Sequence, residues 1–420
     1  MNRPYNIVIT FNNDPCTEMN LLWNTRGDNT SIETTLKYWE SGKSSYVISA
    51  KGNSYVREGF VYHPHHGLGR PETVPPVLPE HIEIFTVHKV ELKGLVPDAA
   101  YEYEIIANGN IKGRFKTGKS KGCFTFLYLS DAQAYSDKNF AAFRRTTEAA
   151  LKRAPESGFF VMPGDMIDIG NSEELWRKFF LSGQEITQNY PIVPAIGNHE
   201  TDLYSPTFCD HFNFPKNESP NLPDYVYTFD YGEARFVVLS TELWHSQLYT
   251  EDGVQKDEPA AFISGQLELL RNVFTDCDKW KIVVMHKALY TSGPYTGHSG
   301  TLMYNKIFEP LFDELGVNVV LQGHDHTFVK AFVRNKKAAP LIDDTAAKAE
   351  DGTFYLLSNA SGEKFYDPVP ESEALPLLKC GQPRTQMYTV VHVTARSIRF
   401  ETYALADESE YLYDLFEIKR

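Results

Sequence analysis

Leu321-Gln322-Gly323-His324-Asp325-His326 closes an apolar run that begins at Val317. A buried strand running into a glycine turn is how an α/β fold delivers side chains to the carboxyl edge of its sheet. Past the turn, strict alternation no longer holds the two imidazoles on opposite faces, so His324 and His326 can reach one small volume. Alone, Gly-His-x-His is explained equally well by loop histidines with nothing bound to them. Partners of the same chemical kind elsewhere in the chain decide between the two.

Four other apolar runs end in a similar way: Leu129-Ser130-Asp131-Ala132-Gln133, Pro163-Gly164-Asp165-Met166-Ile167-Asp168, Gly197-Asn198-His199-Glu200 and Val284-Met285-His286. One Asp behind a strand is most often a cap or turn residue. Five such endings, three of them with glycine, are hard to assign to chance. The runs at 124–129, 159–162, 192–196, 236–239, 282–285 and 317–321 alternate with helical patterns at 139–152, 173–180, 262–274 and 304–315, which is an α/β core. Strand-like runs at 353–357, 388–393, 398–403 and 411–418 predict a second sheet. The polar, Ala-rich 336–351 predicts a mobile surface excursion.

Up to about residue 120 the pattern differs. Short β-rich stretches at 7–11, 19–23, 83–87, 101–105 and 113–117 predict an all-β sandwich. Leu95-Val96-Pro97-Asp98 followed by Tyr101 and Tyr103 resembles the late strands of a fibronectin type III module. A Pro-rich connection spans 69–79, and His63-Pro64-His65-His66 beside it reads as solvated loop rather than metal cluster. The polar, breaker-rich Gly118-Lys119-Ser120-Lys121-Gly122 sets the boundary: a β-sandwich over 1–120 and an α/β domain over 121–420.

A net charge of −14 argues against a general nucleic-acid binder, whose footprint is basic. It leaves a small phosphorylated substrate open, because bound cations reverse the field locally. The five cysteines are odd in number and lack CxxC spacing, so neither a disulfide framework nor a zinc knuckle is predicted. Cys123 and Cys277 flank apolar runs and read as small buried residues. No stretch has the apolar length of a membrane span. Met1-Asn2-Arg3-Pro4-Tyr5 lacks the layout of a signal peptide, so the chain as given reads as cytoplasmic, or extracellular if a leader had been removed.

Asp131, Asp165, Asn198, His286, His324 and His326 are too many donors for one open catalytic metal, which takes about three. Two metals sharing a bridging carboxylate fit better; such pairs sit about 3.5–4 Å apart and clamp both oxygens of a phosphoryl displacement. Carboxylate, amide oxygen and imidazole together suit Zn, Mn or Fe.

The ordered set Asp131…Gly164-Asp165…Gly197-Asn198-His199-Glu200…His286…Gly323-His324-x-His326 resembles the calcineurin-like metallophosphoesterase superfamily. With a β-sandwich in front, it is most similar to the purple acid phosphatases. The resemblance implies two central mixed sheets flanked by helices and a dinuclear centre of divalent ions. It implies hydrolysis of phosphate monoesters by a metal-bound hydroxide. Asp165 would bridge the metals; Asp131 and His326, with Gln133, would complete one, and Asn198, His286 and His324 the other. His199 would protonate the leaving oxygen, oriented by Glu200, with Asn198 and His298 beside the substrate. Tyr204, His211 and His245 lie on loops able to approach the site, the two histidines reading as structural or solvated. Two positions depart from the family. Asp168 stands where the purple enzymes have a tyrosine, which implies no charge-transfer colour and argues against stable Fe(III) there; Asp168 reads as a residue behind the ligands or a helix cap rather than a ligand. Gln133 stands where the wider superfamily has a histidine. Phosphodiesterase or nucleotide hydrolase action on the same site is the alternative within the enzymes; a binding or scaffold protein with a relic site is the alternative outside them.

Overall fold

The computed structural model describes residues 3–60, 82–107, 110–201, 207–217, 219–242, 258–407 and 409–420. The histidine run at 63–66, the Pro-rich 69–79, Tyr204 and His245 lie outside them. The α/β region consists of two mixed sheets packed face to face with helices outside, as predicted. The strands Phe124–Tyr128, Phe160–Met162 and Pro191–Pro194 lie side by side and parallel in one sheet. Ala234–Val238, Trp280–Lys287 and Val319–Gly323 do the same in the other.

Alternation in the second sheet explains its unbroken apolar runs. Phe236, Ile282, Val284, Val319 and Leu321 face the first sheet. Val237, Val283 and Val320 face Leu270, Phe274, Phe308 and Phe312 of the helices Glu258–Phe274 and Ser299–Leu315. Both faces are buried, so no polar alternation survives in the sequence. Aromatic rings fill the space between the sheets: Phe126 stacks on Phe159 at 5.1 Å and meets Phe236 edge-on at 5.6 Å. On the far face of the first sheet, helix Asp137–Arg153 starts at a Ser136–Asn139 capping box and packs Phe143 on Phe179 of helix Glu173–Ser182.

The first sheet continues across the sequence boundary. Tyr5–Phe11 pairs parallel with Pro191–Pro194, and Glu18–Arg26, Ile82–Lys93 and Asn53–Phe60 follow it, giving eleven strands in one sheet. Phe11 enters the aromatic layer, 5.4 Å from Phe159 and 5.1 Å from Phe229. A four-stranded sheet, Ile48–Lys51, Thr35–Glu40, Ala100–Ile105 and Ile111–Lys116, closes the β-sandwich. The Tyr101 hydroxyl accepts from the Val96 backbone N–H at 2.9 Å, the corner bond of immunoglobulin-like sandwiches.

Several expectations are corrected. The 336–351 stretch is not loose: Lys337–Ala338 extends one sheet and Ala346–Lys348 pairs parallel with Glu410–Lys419 in the other. Its alanines are the reason, since Ala346 and Ala347 are buried beneath that edge. Of the predicted late strands, Thr353–Ser358 joins the second sheet, whereas Met387–Val393, Ser397–Leu405 and Glu410–Lys419 extend the first. Cys123 is exposed and Cys277 half-buried, because each sits in a turn before its strand begins. All five cysteines are free thiols. Among the described residues, no helix is long and apolar enough to cross a membrane.

His88 adds an acid-sensitive point to the sandwich. It is buried, stacked on Trp23 at 5.3 Å, and held at 2.8 Å by both the Thr25 and Thr34 hydroxyls. Burial pushes its imidazole down to about 4. The folded state therefore binds fewer protons there than the unfolded chain. The stabilisation is fully present above about pH 6.5 and lost as pH falls through 4, by about 3 kcal/mol. Urea midpoints of the metal-free protein should fall over that window, and less steeply in His88→Gln; equal slopes would exclude this role.

Candidate metal centre

Five strands of the two sheets bring their carboxyl ends to one place, and five loops meet there. The backbone at this junction is unusual. Asp131, Gln133, Asp165, His324 and His326 have φ of 40, 33, 49, 79 and 32°, five of the twelve described non-glycine residues in the left-handed region. Such conformations cost of order 1 kcal/mol each and persist where surrounding structure enforces them. Close packing sets the glycines. A Cβ on Gly164 would lie 2.7 Å from the Gly197 nitrogen and the His286 Nδ1, and one on Gly197 would lie 2.3 Å from Asp165 Oδ1. A register shift between Val284 and Lys287 breaks the ladder at His286 and re-aims its ring.

The side chains form two groups that share one carboxylate. Ligand atoms of Asp165, His286 and His324 lie within 4.8 Å of one another, as do those of Asp131, Asp165 and His326, and all five residues are buried. Asn198 joins the first group, its Oδ1 3.1 Å from His286 Nε2. The ring tautomers are fixed from behind: His286 Nδ1–H donates to the Pro163 carbonyl and His326 Nδ1–H to the Lys364 carbonyl, each at 2.8 Å. Both Nε2 lone pairs therefore point inward. Around His286 Nε2 stand Asn198 Oδ1 at 3.1 Å, Asp165 Oδ2 at 3.2 Å and His324 Nδ1 at 3.2 Å. Lone pairs converging this closely repel unless a proton or a metal cation lies among them. This donor set fits a divalent metal.

The electrostatics agree. Burial would lower His286, but Asp165 and then Asp131 carry it up to about 10, so a proton there serves as the counter-charge. Burial would raise Asp165, yet His286 and His199 hold it well below the carboxylate range. Asp131 is pushed up to about 7 by burial, partly offset by His286. Burial, reinforced by Lys364, takes His326 down to about 3; burial, reinforced by His286, takes His324 well below its usual value. Both imidazoles are thus kept neutral, the form that binds metal.

His199 stands beside these groups. Its backbone N–H donates to Asp165 Oδ1 at 3.0 Å, and its Nδ1–H donates to the Asp168 carbonyl at 2.6 Å. Its Nε2 lies 3.9 Å from Asp165 Oδ2 and accepts from Gln133 Nε2 at 2.8 Å. Asp168 thus holds the His199 ring through its backbone carbonyl, and its carboxylate accepts from Gln133 Nε2 at 2.7 Å.

Three expected residues are placed differently. Glu200 does not orient His199. Its buried carboxylate accepts from the Asp165, Met166 and Gly197 backbone N–H groups, each at 2.8 Å, because the turn at 198–201 directs it inward. The Gln133 amide, expected as a metal ligand, is engaged with side chains. Its oxygen accepts from Lys364 Nζ at 2.9 Å while Nε2 donates to Asp168 Oδ1 at 2.7 Å, which fixes the amide orientation. His298 is exposed and caps helix Ser299–Leu315, its Nδ1 accepting from the Gly300 N–H. Tyr295 stands between it and the site, 5.9 Å from His298 and 4.1 Å from His324, ring to ring. His211 is structural: buried, stacked on Trp176, and bonded to Glu173 at 2.9 Å.

Three residues near the site escape the sequence reading: Tyr295, Lys364 and Tyr366. Tyr366 lies 5.1 Å from His326, ring to ring. The rule used for the other strands points to the last two, since 359–366 follows the carboxyl end of Thr353–Ser358.

Comparison with known proteins agrees with the two-part fold. Residues 4–121 match the family described as Purple acid Phosphatase, N-terminal domain, and residues 124–328 match Calcineurin-like phosphoesterase. Purple acid phosphatase 21 of Arabidopsis thaliana is 28% identical over 267 residues, 60% of this chain and 55% of that protein. An uncharacterized protein of Mycobacterium tuberculosis is 24% identical over 348 residues, 73% of this chain and 62% of that protein. The chain therefore spans less than two thirds of the length of each. In fold, it is similar to a purple acid phosphatase from yellow lupin (Lupinus luteus) seeds, with a TM-score of 0.76 at 16% identity, covering 100% of this chain and 75% of that one. The chain thus carries a calcineurin-like phosphoesterase domain, preceded by the N-terminal domain of the purple acid phosphatases.

Proposed function

We propose that the protein hydrolyses phosphate monoesters at two divalent cations held by Asp131, Asp165, Asn198, His286, His324 and His326. The observation that carries this is the sharing of Asp165 by two separate Asp/His groups. Bound cations would supply Lewis-acid charge against phosphate oxygens and a source of hydroxide near neutral pH. The remaining tasks fall to the chain. Asp165 spans both groups, so its charge sets their joint affinity. The fixed tautomers of His286 and His326 keep both rings aimed inward without a further ordering cost. His199 is the group to pass a proton to the leaving oxygen. Its Nδ1 is fixed on the Asp168 carbonyl, which leaves Nε2 as the exchanging atom, and Gln133 guards that atom until substrate displaces the amide.

Elemental analysis of the purified protein, with hydrolysis of p-nitrophenyl phosphate and its bis ester across Mn, Zn and Fe(II), tests the proposal. About two metals per chain and preferred turnover of the monoester are expected. No bound metal and no turnover under any ion would end it. Preference for the bis ester would make the protein a diesterase. His199→Asn is expected to lower kcat about 10²–10⁴-fold with metal content unchanged; a variant that also lost its metals would assign His199 to holding them.

A further inference from the structure

We propose that the Lys364 ammonium binds the substrate's phosphate and selects dianionic monoesters over monoanionic diesters. This inference rests on the phosphoesterase reading above and deepens it. Lys364 follows strand Thr353–Ser358, the sixth strand to end at this edge, and its carbonyl is anchored by the His326 Nδ1–H. Its side chain is half-buried, and among the described residues no carboxylate lies within ion-pair distance of it. Of the other lysines that are at least partly buried, Lys287 pairs with Glu242 at 2.8 Å and Lys330 and Lys379 with Asp414 at 3.0 Å, whereas Lys89 and Lys281 have no carboxylate among the described residues and donate to the Cys209 and Leu315 carbonyls, away from the metal centre. Lys364 meets only neutral groups, the Gln133 Oε1 at 2.9 Å and the Tyr366 ring 5.3 Å away. An ammonium has three N–H donors, and Gln133 takes one.

The position explains why this charge is left without a carboxylate. Gln133 connects Lys364 to His199, whose Nε2 is 3.9 Å from Asp165 Oδ2. The ammonium is therefore separated from Asp165 along this path by one amide and one imidazole, and its own backbone carbonyl holds His326. A positive charge beside two divalent ions is repelled unless an anion lies between them. A phosphate dianion at that point is attracted from both sides. A diester carries half that charge and gains correspondingly less, so the lysine discriminates between the two ester classes as well as adding affinity.

The test uses metal-loaded wild type, Lys364→Met and Lys364→Arg. KM and kcat are measured for p-nitrophenyl phosphate and its bis ester, and Ki for inorganic phosphate as a competitive inhibitor. Lys364→Met should raise the monoester KM and the phosphate Ki each by about tenfold or more, the effect of losing one charged hydrogen bond. Its kcat should fall less than about threefold, and the bis ester's kcat/KM should fall less than the monoester's. Lys364→Arg should stay within about threefold of wild type on all counts. Parallel losses on both esters, or an unmoved phosphate Ki, would overturn the assignment while leaving the phosphoesterase reading intact. Loss of metal from Lys364→Met would make the lysine structural and overturn it too. A wild type inactive on both esters would sink the underlying reading, and this one with it.

Discussion

Asp165→Asn is expected to lose metal binding in both groups and to lower turnover of p-nitrophenyl phosphate by about 10³-fold or more, the loss of several kcal/mol of charge stabilisation. Asp165 is the one residue common to the two groups, so its substitution weakens both, whereas changes at Asp131 or His324 weaken one. The amide keeps the carboxylate's shape, and its Oδ1 can still accept the His199 N–H that the native oxygen holds at 3.0 Å. The loss therefore reports charge rather than collapse. Removing the charge also removes the main cause of the high His286 pKa, so that ring should give up its proton more easily. Elemental analysis and kcat, measured beside the thermal midpoint of the metal-free proteins, check this. A variant that kept two metals and a tenth of its activity would contradict the shared-ligand arrangement.

Glu200→Ala is expected to destabilise the protein by about 4 kcal/mol or more, because three buried backbone donors lose their only charged acceptor. Those donors belong to two loops, at Asp165 and Met166 and at Gly197, so the carboxylate joins the segment that carries Asp165 to the one that carries Asn198. Burial and the neighbouring Asp165 push this carboxyl up to about 7, so part of its binding energy to the three N–H groups offsets the cost of burying its charge. Glu200→Gln should fall between wild type and Ala, since its one amide oxygen can keep the Asp165 and Gly197 N–H groups that Oε2 holds while the amide nitrogen leaves the Met166 N–H without an acceptor. Urea denaturation of the metal-free proteins measures the difference. A stable Glu200→Ala with a selective fall in kcat would instead return Glu200 to the role of orienting His199.

The contrast between these two acids shows where the sequence is legible. Asp165, His324 and His326 follow strands that both sheet faces bury, so their place at a carboxyl edge can be read from the apolar run and the glycine alone. Glu200 stands next to His199 in sequence, but the Thr201 N–H returns to the Asn198 carbonyl at 3.2 Å and that turn sends the two side chains apart. Adjacency along a chain is a poor guide to adjacency inside a turn. Gln133 fails for another reason: its oxygen is claimed by Lys364, 231 positions away, and no local pattern announces such a partner. Strand pairing has the same limit. Periodicity identifies 124–129 and 282–285 as buried strands without assigning them to different sheets. The polar stretch at 118–122 marks a change of pattern but not an end to the hydrogen-bonded ladder.

That ladder limits how the protein can move. Many two-part enzymes admit and release substrate by swinging one half about a hinge. Here the register Ile9↔Pro191 and Thr10↔Ile192 ties the first strand of the chain into the sheet that carries Asp131, Asp165 and Asn198. A swing between the halves would have to tear backbone hydrogen bonds and open a buried aromatic layer. If the protein turns over phosphate esters as proposed, entry and release would then fall to short segments at the rim, which among the described residues include the Tyr295 loop and the 359–366 turn, rather than to domain closure.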